Sequence, residues 1–411
     1  MNDHQGSGRP RVVIAGGGIA GMEAALALAD LAGDLAEITL VAPEPEFFYK
    51  PLTVEEPFTM QPAERHDLAP ALEELGVGFA EDAVSEVVSD AHLVRLASGS
   101  DLAYDFLVVC VGGRARLAFD HVETFWSNRS DLPVNDLIRR AAESDDAAIS
   151  LVVPPATSWS LPLYEIALQL RSRSEELRLG DVPMRILTPE AAPLAIFGTR
   201  ASEAVSELLA ARRIAFEGDR YVVQEPEELR VTPRGVPPRP ELTIALPVIE
   251  GAALPGMPTD ANGFIPIDSH CRVDSLEDVY AAGDGTTFPV KQGGLATQQA
   301  DAAAEHIAAR LGAEVEPRAF EPILRGQLVT GTESLNLKHE LAGGHGEGTA
   351  SLDYLWWPPQ KVAGRYLAAW LGHTVPTDLE PPSRPLEVEV SWAHEWHGEP
   401  MAYDAERPMD Q

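Results

Sequence analysis

Arg11-Val12-Val13-Ile14-Ala15-Gly16-Gly17-Gly18-Ile19-Ala20-Gly21 is the stretch whose reading decides the fold. An apolar run leads into a glycine cluster, and an alanine- and leucine-rich segment follows. That order predicts a strand over Arg11–Ala15, a helix over Ile19–Leu31 and a second strand over Glu37–Ala42. The glycine spacing has a separate reason at each position: Gly16 permits the tight turn, Gly18 lets backbone approach a pyrophosphate, and Gly21 brings helix and sheet close together. Oriented N–H groups at the helix start then favour an anion. The opening therefore predicts a dinucleotide cradle at the start of a doubly wound α/β sheet.

Ala281-Ala282-Gly283-Asp284-Gly285, after Asp278-Val279-Tyr280, is a second glycine signature far along the chain. It completes the same cradle only if the chain leaves the first unit and returns to it. Between the two, Tyr104–Val111 reads as an apolar strand ending at Gly112 and Gly113, suited to a buried parallel sheet. Glu64–Leu75 reads as a helix, and Phe79–Val88 with His92–Ala97 as a strand pair. A second α/β unit is expected to begin near Asp131: strands at Ala147–Val153 and Met184–Thr188, helices at Leu163–Leu170 and Ser202–Arg212. Its first turn, Pro154-Pro155-Ala156-Thr157-Ser158-Trp159-Ser160-Leu161-Pro162, lacks glycine where a second phosphate cradle belongs. Glu225–Arg239 reads as a hairpin or loop and Leu242–Val248 as a strand. A long helix follows over Gly294–Arg310, and Leu324–Val329 resembles a strand.

The bulk properties bound the function. At 411 residues the chain can build two or three domains. A formal charge of −33 argues against nucleic acid and against adhesion to anionic lipid, although acidity also serves solubility alone. The two cysteines, Cys110 and Cys271, form no CxxC motif and read as buried packing thiols. Residues 1–10 have the composition of a loose leader. No segment carries the roughly 20 apolar residues that span a bilayer.

Several local features have two readings each. The second strand usually ends in an acid that holds the adenosine ribose; here Ala42 cannot, and Glu44 does so only if the chain turns back. The aromatic segments Leu352–Pro359 and Lys361–Leu371 suit a domain cap or dimer contact, or a membrane interface. His394-Glu395-Trp396-His397 places two imidazoles three residues apart, without a third ligand, and reads as surface or packing, so no metal is expected. Asp145 and Asp146 read as solvated charge.

Taken in order, Gly16–Gly21, Phe47–Leu52, Cys110–Gly113, Ala281–Asp284, Val290–Gly294 and Trp356–Tyr366 resemble the two-dinucleotide-domain flavoproteins of the pyridine nucleotide-disulfide oxidoreductase superfamily. More narrowly, they resemble its sulfide:quinone reductase and type II NADH dehydrogenase branch. The resemblance spans about residues 11 to 372 and implies an α/β fold of two Rossmann-like domains plus a C-terminal domain. It divides the chain into a discontinuous FAD-binding domain (11–113 and 250–315), a second Rossmann-like domain (114–249) and a C-terminal interface or cap (316–411).

The resemblance implies FAD as cofactor. Gly16, Gly18, Ile19, Ala20 and Gly21 would hold its phosphates, with Glu44, Lys50, Gly112 and Gly283 beside them. Asp284 would bind the ribityl or pyrophosphate portion, and Lys291 and Gln292 would lie near the isoalloxazine ring. A lysine there offsets charge on the reduced ring; the plainer role for Lys291 is a solvent-facing cap or a salt bridge. Tyr49, Trp159 and Trp356–Trp357 are further candidates for shaping the reactive face.

Two departures from the family pattern stand out. Sulfide:quinone reductases use redox cysteines in the second domain and late in the chain, and neither region has one here. The turn after Val153 has proline and Trp159 where nicotinamide dinucleotide would need glycine, which makes NAD(P) doubtful. The expected function is an FAD-dependent oxidoreductase passing electrons from an unidentified small donor to a quinone or other small acceptor. The alternatives are a non-enzymatic flavin-binding interaction or redox-sensing protein, and an NAD(P)H:acceptor reductase with an atypical pocket. The expected location is the cytoplasm, or the inner face of a membrane through peripheral contact of the C-terminal region.

Overall fold

A computed structural model describes residues 8–59, 63–126, 132–144, 147–179, 181–226, 228–341 and 347–374. Most of the leader, the Asp131 boundary, the Asp145–Asp146 pair, the His394–His397 pair and everything beyond 374 lie outside the described residues.

Two five-stranded parallel sheets organise the chain. In the first, strand order is 279–281, 106–109, 11–15, 37–42, 78–81, with every pairing parallel. Its outermost strand comes from a stretch more than 160 residues after its neighbour, so the chain does leave and return. The second has the order 123–124, 243–245, 149–152, 184–187, 214–217, again all parallel. The two sheets share one winding pattern. In each, the order reverses beside the strand that the first helix follows, and that reversal opens a crevice at the carboxyl ends.

The helices lie where hydrophobic spacing puts them. Helix α1 (Ile19–Ala32) leaves the glycine turn, and α2 (Leu161–Glu176) starts from Pro162 at its first turn. Helix α3 (Gly293–Leu311) packs along α1. Ala24 and Ala25 of α1 and Ala300, Ala303 and Ala304 of α3 are fully buried, and their small side chains allow this close approach. Helix α4 (Leu367–Thr374) lies against α1, with Trp370 edge-on to Phe47. The three-stranded sheet 323–328, 335–340, 349–351 faces α2 and the helix Thr199–Ala211.

Three local expectations are corrected by long-range pairing. Residues 64–75 are not one helix: Arg65–Asp67 pairs antiparallel with Glu46–Phe48, and the helix is confined to Leu68–Glu74. Residues 79–88 are not one strand. Gly78–Glu81 joins the parallel sheet, whereas Val84–Val88 opens a meander with Leu93–Leu96 and Asp101–Ala103. Asp82 makes the break, its carboxylate accepting the N–H groups of Ala83 at 2.7 Å and Ser98 at 3.3 Å. Residues 242–248 also divide: Thr243–Ala245 stays in the second sheet, and Val248–Gly251 pairs with Gly113–Arg116 on the way back to the first.

Candidate functional site

The carboxyl ends of strands 11–15, 106–109 and 279–281 converge on one cavity of about 930 Å³. Gly16 turns the chain with φ +118°, and a Cβ there would lie 2.3 Å from the Cys110 carbonyl oxygen. Gly21 meets the turn just as closely, since its Cβ would lie 1.8 Å from the Gly16 carbonyl oxygen. A Cβ on Gly18 would instead point into open space on the cavity side. Gly18 also caps α1 without a side-chain hydrogen bond, and no acidic residue sits in the first turn. The helix start therefore presents N–H groups and partial positive charge to an incoming phosphate.

Most sequence-predicted site residues meet at this cavity. Gly16, Gly18, Ile19, Ala20, Glu44, Lys50, Gly112, Gly283, Asp284, Lys291, Gln292 and Trp159 all line it. Asp284 is half-buried, and desolvation holds its carboxyl above the usual range against the opposing pull of Lys291 and Lys50. The turn that carries it is clamped from behind. Gln299 accepts the Gly283 N–H at 2.7 Å, and the Thr286 hydroxyl donates to the Gly283 carbonyl at 3.0 Å. The volume lies within the range of preformed ligand sites, at its large end. An open glycine turn, a bare helix start and a half-buried acid together fit an adenine dinucleotide such as FAD.

Lys291 is neither a solvent-facing cap nor half of a tight ion pair. Its amine donates to the backbone carbonyls of Thr286 and Phe288 (2.7 Å to Phe288) and sits 3.9 Å above the Phe264 ring. Burial pulls its pKa down to about 8. Gln292 is spent on structure: its oxygen caps α3 at Leu295, and its amide donates to the Arg325 carbonyl at 3.0 Å. Gly21 lies in the first turn of α1, off the cavity wall. Tyr49 lies off it too, fully buried, its hydroxyl accepting the Val362 N–H at 2.8 Å. Its effect on the cavity passes through Val362, which does line the wall. Trp356 and Trp357 are buried in packing and do not reach the cavity; the neighbouring Lys361 and Val362 do.

One pair at the cavity had no sequence signal. Glu165 on α2 is fully buried, and its Oε1 accepts from the Lys361 amine at 2.6 Å and the Val329 N–H at 3.0 Å. Its Oε2 is buried with no hydrogen-bond partner among the described residues. Desolvation raises the Glu165 pKa, and Lys361 opposes the rise without cancelling it. The two residues lie 196 positions apart on different layers, so neither spacing nor composition connects them.

At the corresponding crevice of the second sheet, side chains hydrogen-bond to one another. Glu190 follows the second strand of that sheet, where a dinucleotide fold keeps its ribose-binding acid. Here the carboxylate accepts from the hydroxyls of Tyr164 (2.7 Å), Ser160 (3.0 Å) and Thr188 (2.9 Å). Both cysteines are buried. Burial pushes the Cys110 thiol up to about 12 and raises that of Cys271 as well, so neither is a thiolate near neutrality. Among the described residues no cluster of three or more metal-ligating side chains occurs, and no helix is long and apolar enough to cross a membrane.

The sequence profile of the pyridine nucleotide-disulphide oxidoreductase family matches residues 4–148, the stretch that holds the glycine turn and the strand before Gly112. Over that stretch the chain is similar to this family. Its mixed α/β fold with parallel sheets matches that of two-domain flavoprotein oxidoreductases. A sulfide-quinone reductase from Aquifex aeolicus is 24% identical over 302 residues, 68% of this chain and 69% of that one. The solved structure of the sulfide:quinone oxidoreductase from that bacterium superposes with a TM-score of 0.74 at 20% identity, covering 83% of this chain and 86% of that one. A ferredoxin reductase from Rhodopseudomonas palustris superposes with a TM-score of 0.58 at 19% identity, covering 82% and 83%.

Proposed function

We propose that this oxidoreductase binds FAD across the first sheet and passes electrons from a small donor to a quinone or a similar small acceptor. One observation carries the reading. A single cavity runs from the glycine turn and Asp284 to the buried Glu165–Lys361 pair, joining a dinucleotide site to a site equipped to handle protons. The sulfide-quinone reductase likeness supports the acceptor class. On this reading residues 11–113 and 250–315 are the cofactor domain, 114–249 a second Rossmann-like domain, and 316–374 supply the wall behind Lys361.

FAD, when bound, supplies the two-electron exchange with donor and acceptor. The chain supplies the rest. Gly16 to Ala20 and Asp284 anchor the dinucleotide, and the amine of Lys291 brings positive charge to the buried end of the cavity. Two-electron reduction of a quinone takes up two protons, one at each carbonyl oxygen. Glu165, whose proton affinity burial raises against the pull of Lys361, takes a proton from solvent and passes it through its unpartnered Oε2 to one oxygen, and the other oxygen takes its proton from solvent. Lys361 orients the first of these oxygens by charge.

The donor enters without the second nucleotide site. With Glu190 bound to three hydroxyls and Pro154–Pro155 at the turn, the second sheet offers nicotinamide dinucleotide neither a ribose acid nor a phosphate cradle. Persulfide relay through Cys110 or Cys271 is disfavoured by their burial. Anaerobic absorption spectra of the purified chain test the proposal. Flavin bands near roughly 370 and 450 nm are expected. They should bleach with one of sulfide, small thiols or dihydronicotinamides, and return on adding a short-chain quinone. Absence of flavin after gentle purification and failed FAD reconstitution, or no bleaching by any donor, overturns it.

A further inference from the structure

Glu23 lies in the middle of α1, on the face that packs against α3, and is fully buried. A carboxylate in such a seam needs donors, and the chain brings two from a distant stretch. The N–H groups of Tyr366 and Leu367, at the start of α4, donate to it at 2.9 and 2.6 Å. Gly364 leaves room for this approach, since a Cβ there would lie 2.9 Å from Glu23 Oε2. Facing Glu23 from α3 is Asp301, in side-chain hydrogen-bond contact with it. Asp301 Oδ1 is buried and receives no N–H or O–H from other described groups. Two carboxyl groups hydrogen-bond only if one carries a proton.

We propose that Glu23 and Asp301 share one proton and form a pH-set clasp on residues 361–371. While the proton is held, Glu23 keeps the start of α4 against α1. When it leaves to solvent, two negative charges meet in the seam and the segment loosens. That segment supplies Lys361 and Val362 to the cavity wall, so loosening it withdraws Lys361 from Glu165 and uncovers the cavity. The catalytic consequence rests on the function proposed above; the clasp itself does not.

The surrounding charges are few. Glu305, also on α3, is engaged by Arg318 and Arg365, at 2.6 and 2.7 Å. The Arg365 charge favours ionised Asp301, whereas Glu305 and Glu23 oppose it. The Tyr366 hydroxyl donates to Asp30 at 3.4 Å, and burial keeps that phenol protonated. Burial is the largest influence on both acids and raises both. Raised acids stabilise in full below the ordinary carboxylate range and lose that contribution as pH rises through their folded values. The clasp is therefore tight in acid and loosens towards alkaline pH.

Hydrogen exchange of the full-length protein, without donor or acceptor, tests this apart from any turnover. After correction for intrinsic exchange, protection of residues 361–371 should fall at least about tenfold between about pH 5 and about pH 9. Asp301→Asn, which still donates to Glu23 but cannot ionise, should hold protection level over the same range. Glu23→Gln should lower protection at every pH. Wild-type protection that moves by less than about twofold, or an Asp301→Asn profile that follows the wild type, overturns the proposal. Should Asp301→Asn fail to fold, the wild-type titration alone decides. A level wild-type profile leaves the cavity's proposed chemistry standing, and failed electron transfer leaves the clasp standing.

Discussion

Removing the charge of Glu165 separates its work in folding from its work on protons. The pair it forms with Lys361 is 2.6 Å long, with side chains 0% and 8% exposed, so solvent screens neither partner. Truncating one member of such a pair costs about 3–5 kcal/mol, because the other is left charged and dry. Glu165→Gln keeps the shape and the oxygen that accepts the Val329 N–H, but strands the Lys361 ammonium. Its stability should drop by about that amount in urea denaturation. The double variant Glu165→Gln/Lys361→Gln removes both charges and should recover most of the loss. Rates should not follow stability. Reoxidation of the reduced enzyme by a short-chain quinone, measured by stopped flow, should slow by about 10²–10⁴-fold in both variants, the usual range for a lost general acid. Wild-type reoxidation should also decline as pH rises through the elevated Glu165 pKa, and that inflection should vanish in both variants. Reoxidation by Glu165→Gln within about twofold of wild type, with the inflection retained, refutes the proton-donor role.

Three other outcomes follow from the geometry. Gly16→Ala places a Cβ 2.3 Å from the Cys110 carbonyl oxygen at φ +118°, so the purified variant should carry little flavin per chain, measured by absorbance ratio. Tyr164→Phe removes a donor from the half-buried Glu190 carboxylate and should cost about 1–3 kcal/mol in urea denaturation, without creating saturable NADH binding in fluorescence titration. Cys110 and Cys271 should resist alkylation in the native protein near neutral pH, read by intact mass, and become labelled only on unfolding, since burial pushes the Cys110 thiol up to about 12 and raises Cys271 too.

Local chemistry made the cradle legible. Gly16, Gly18 and Gly21 stand at spacings that only a tight turn into a helix explains, and the strand and helix around them are visible in apolar periodicity. Gly112 and Gly283, within a few positions of a strand end, line the cavity for the same reason, whereas the place of Asp284 there was implied by the resemblance. Where prediction failed, a distant partner decided. Arg65–Asp67 is a strand because Glu46–Phe48 lies beside it, and Tyr49 is turned off the cavity because its hydroxyl meets Val362. Gln292, which the resemblance places near the isoalloxazine ring, lines the cavity while its side chain is engaged as a helix cap.

The sequence by itself determined the α/β class, the first glycine turn and the missing glycines of the second. Each of these is a property of a dozen adjacent residues, and steric limits on φ and hydrogen bonding act at that range. Only the tertiary structure decided which acids matter. Glu165, Glu190 and Glu23 are three among 64 acidic residues until folding places Lys361, Tyr164 and the start of α4 beside them. Burial and a few close partners set the charge and proton affinity of a carboxylate, and both are supplied largely by chain that is remote in sequence.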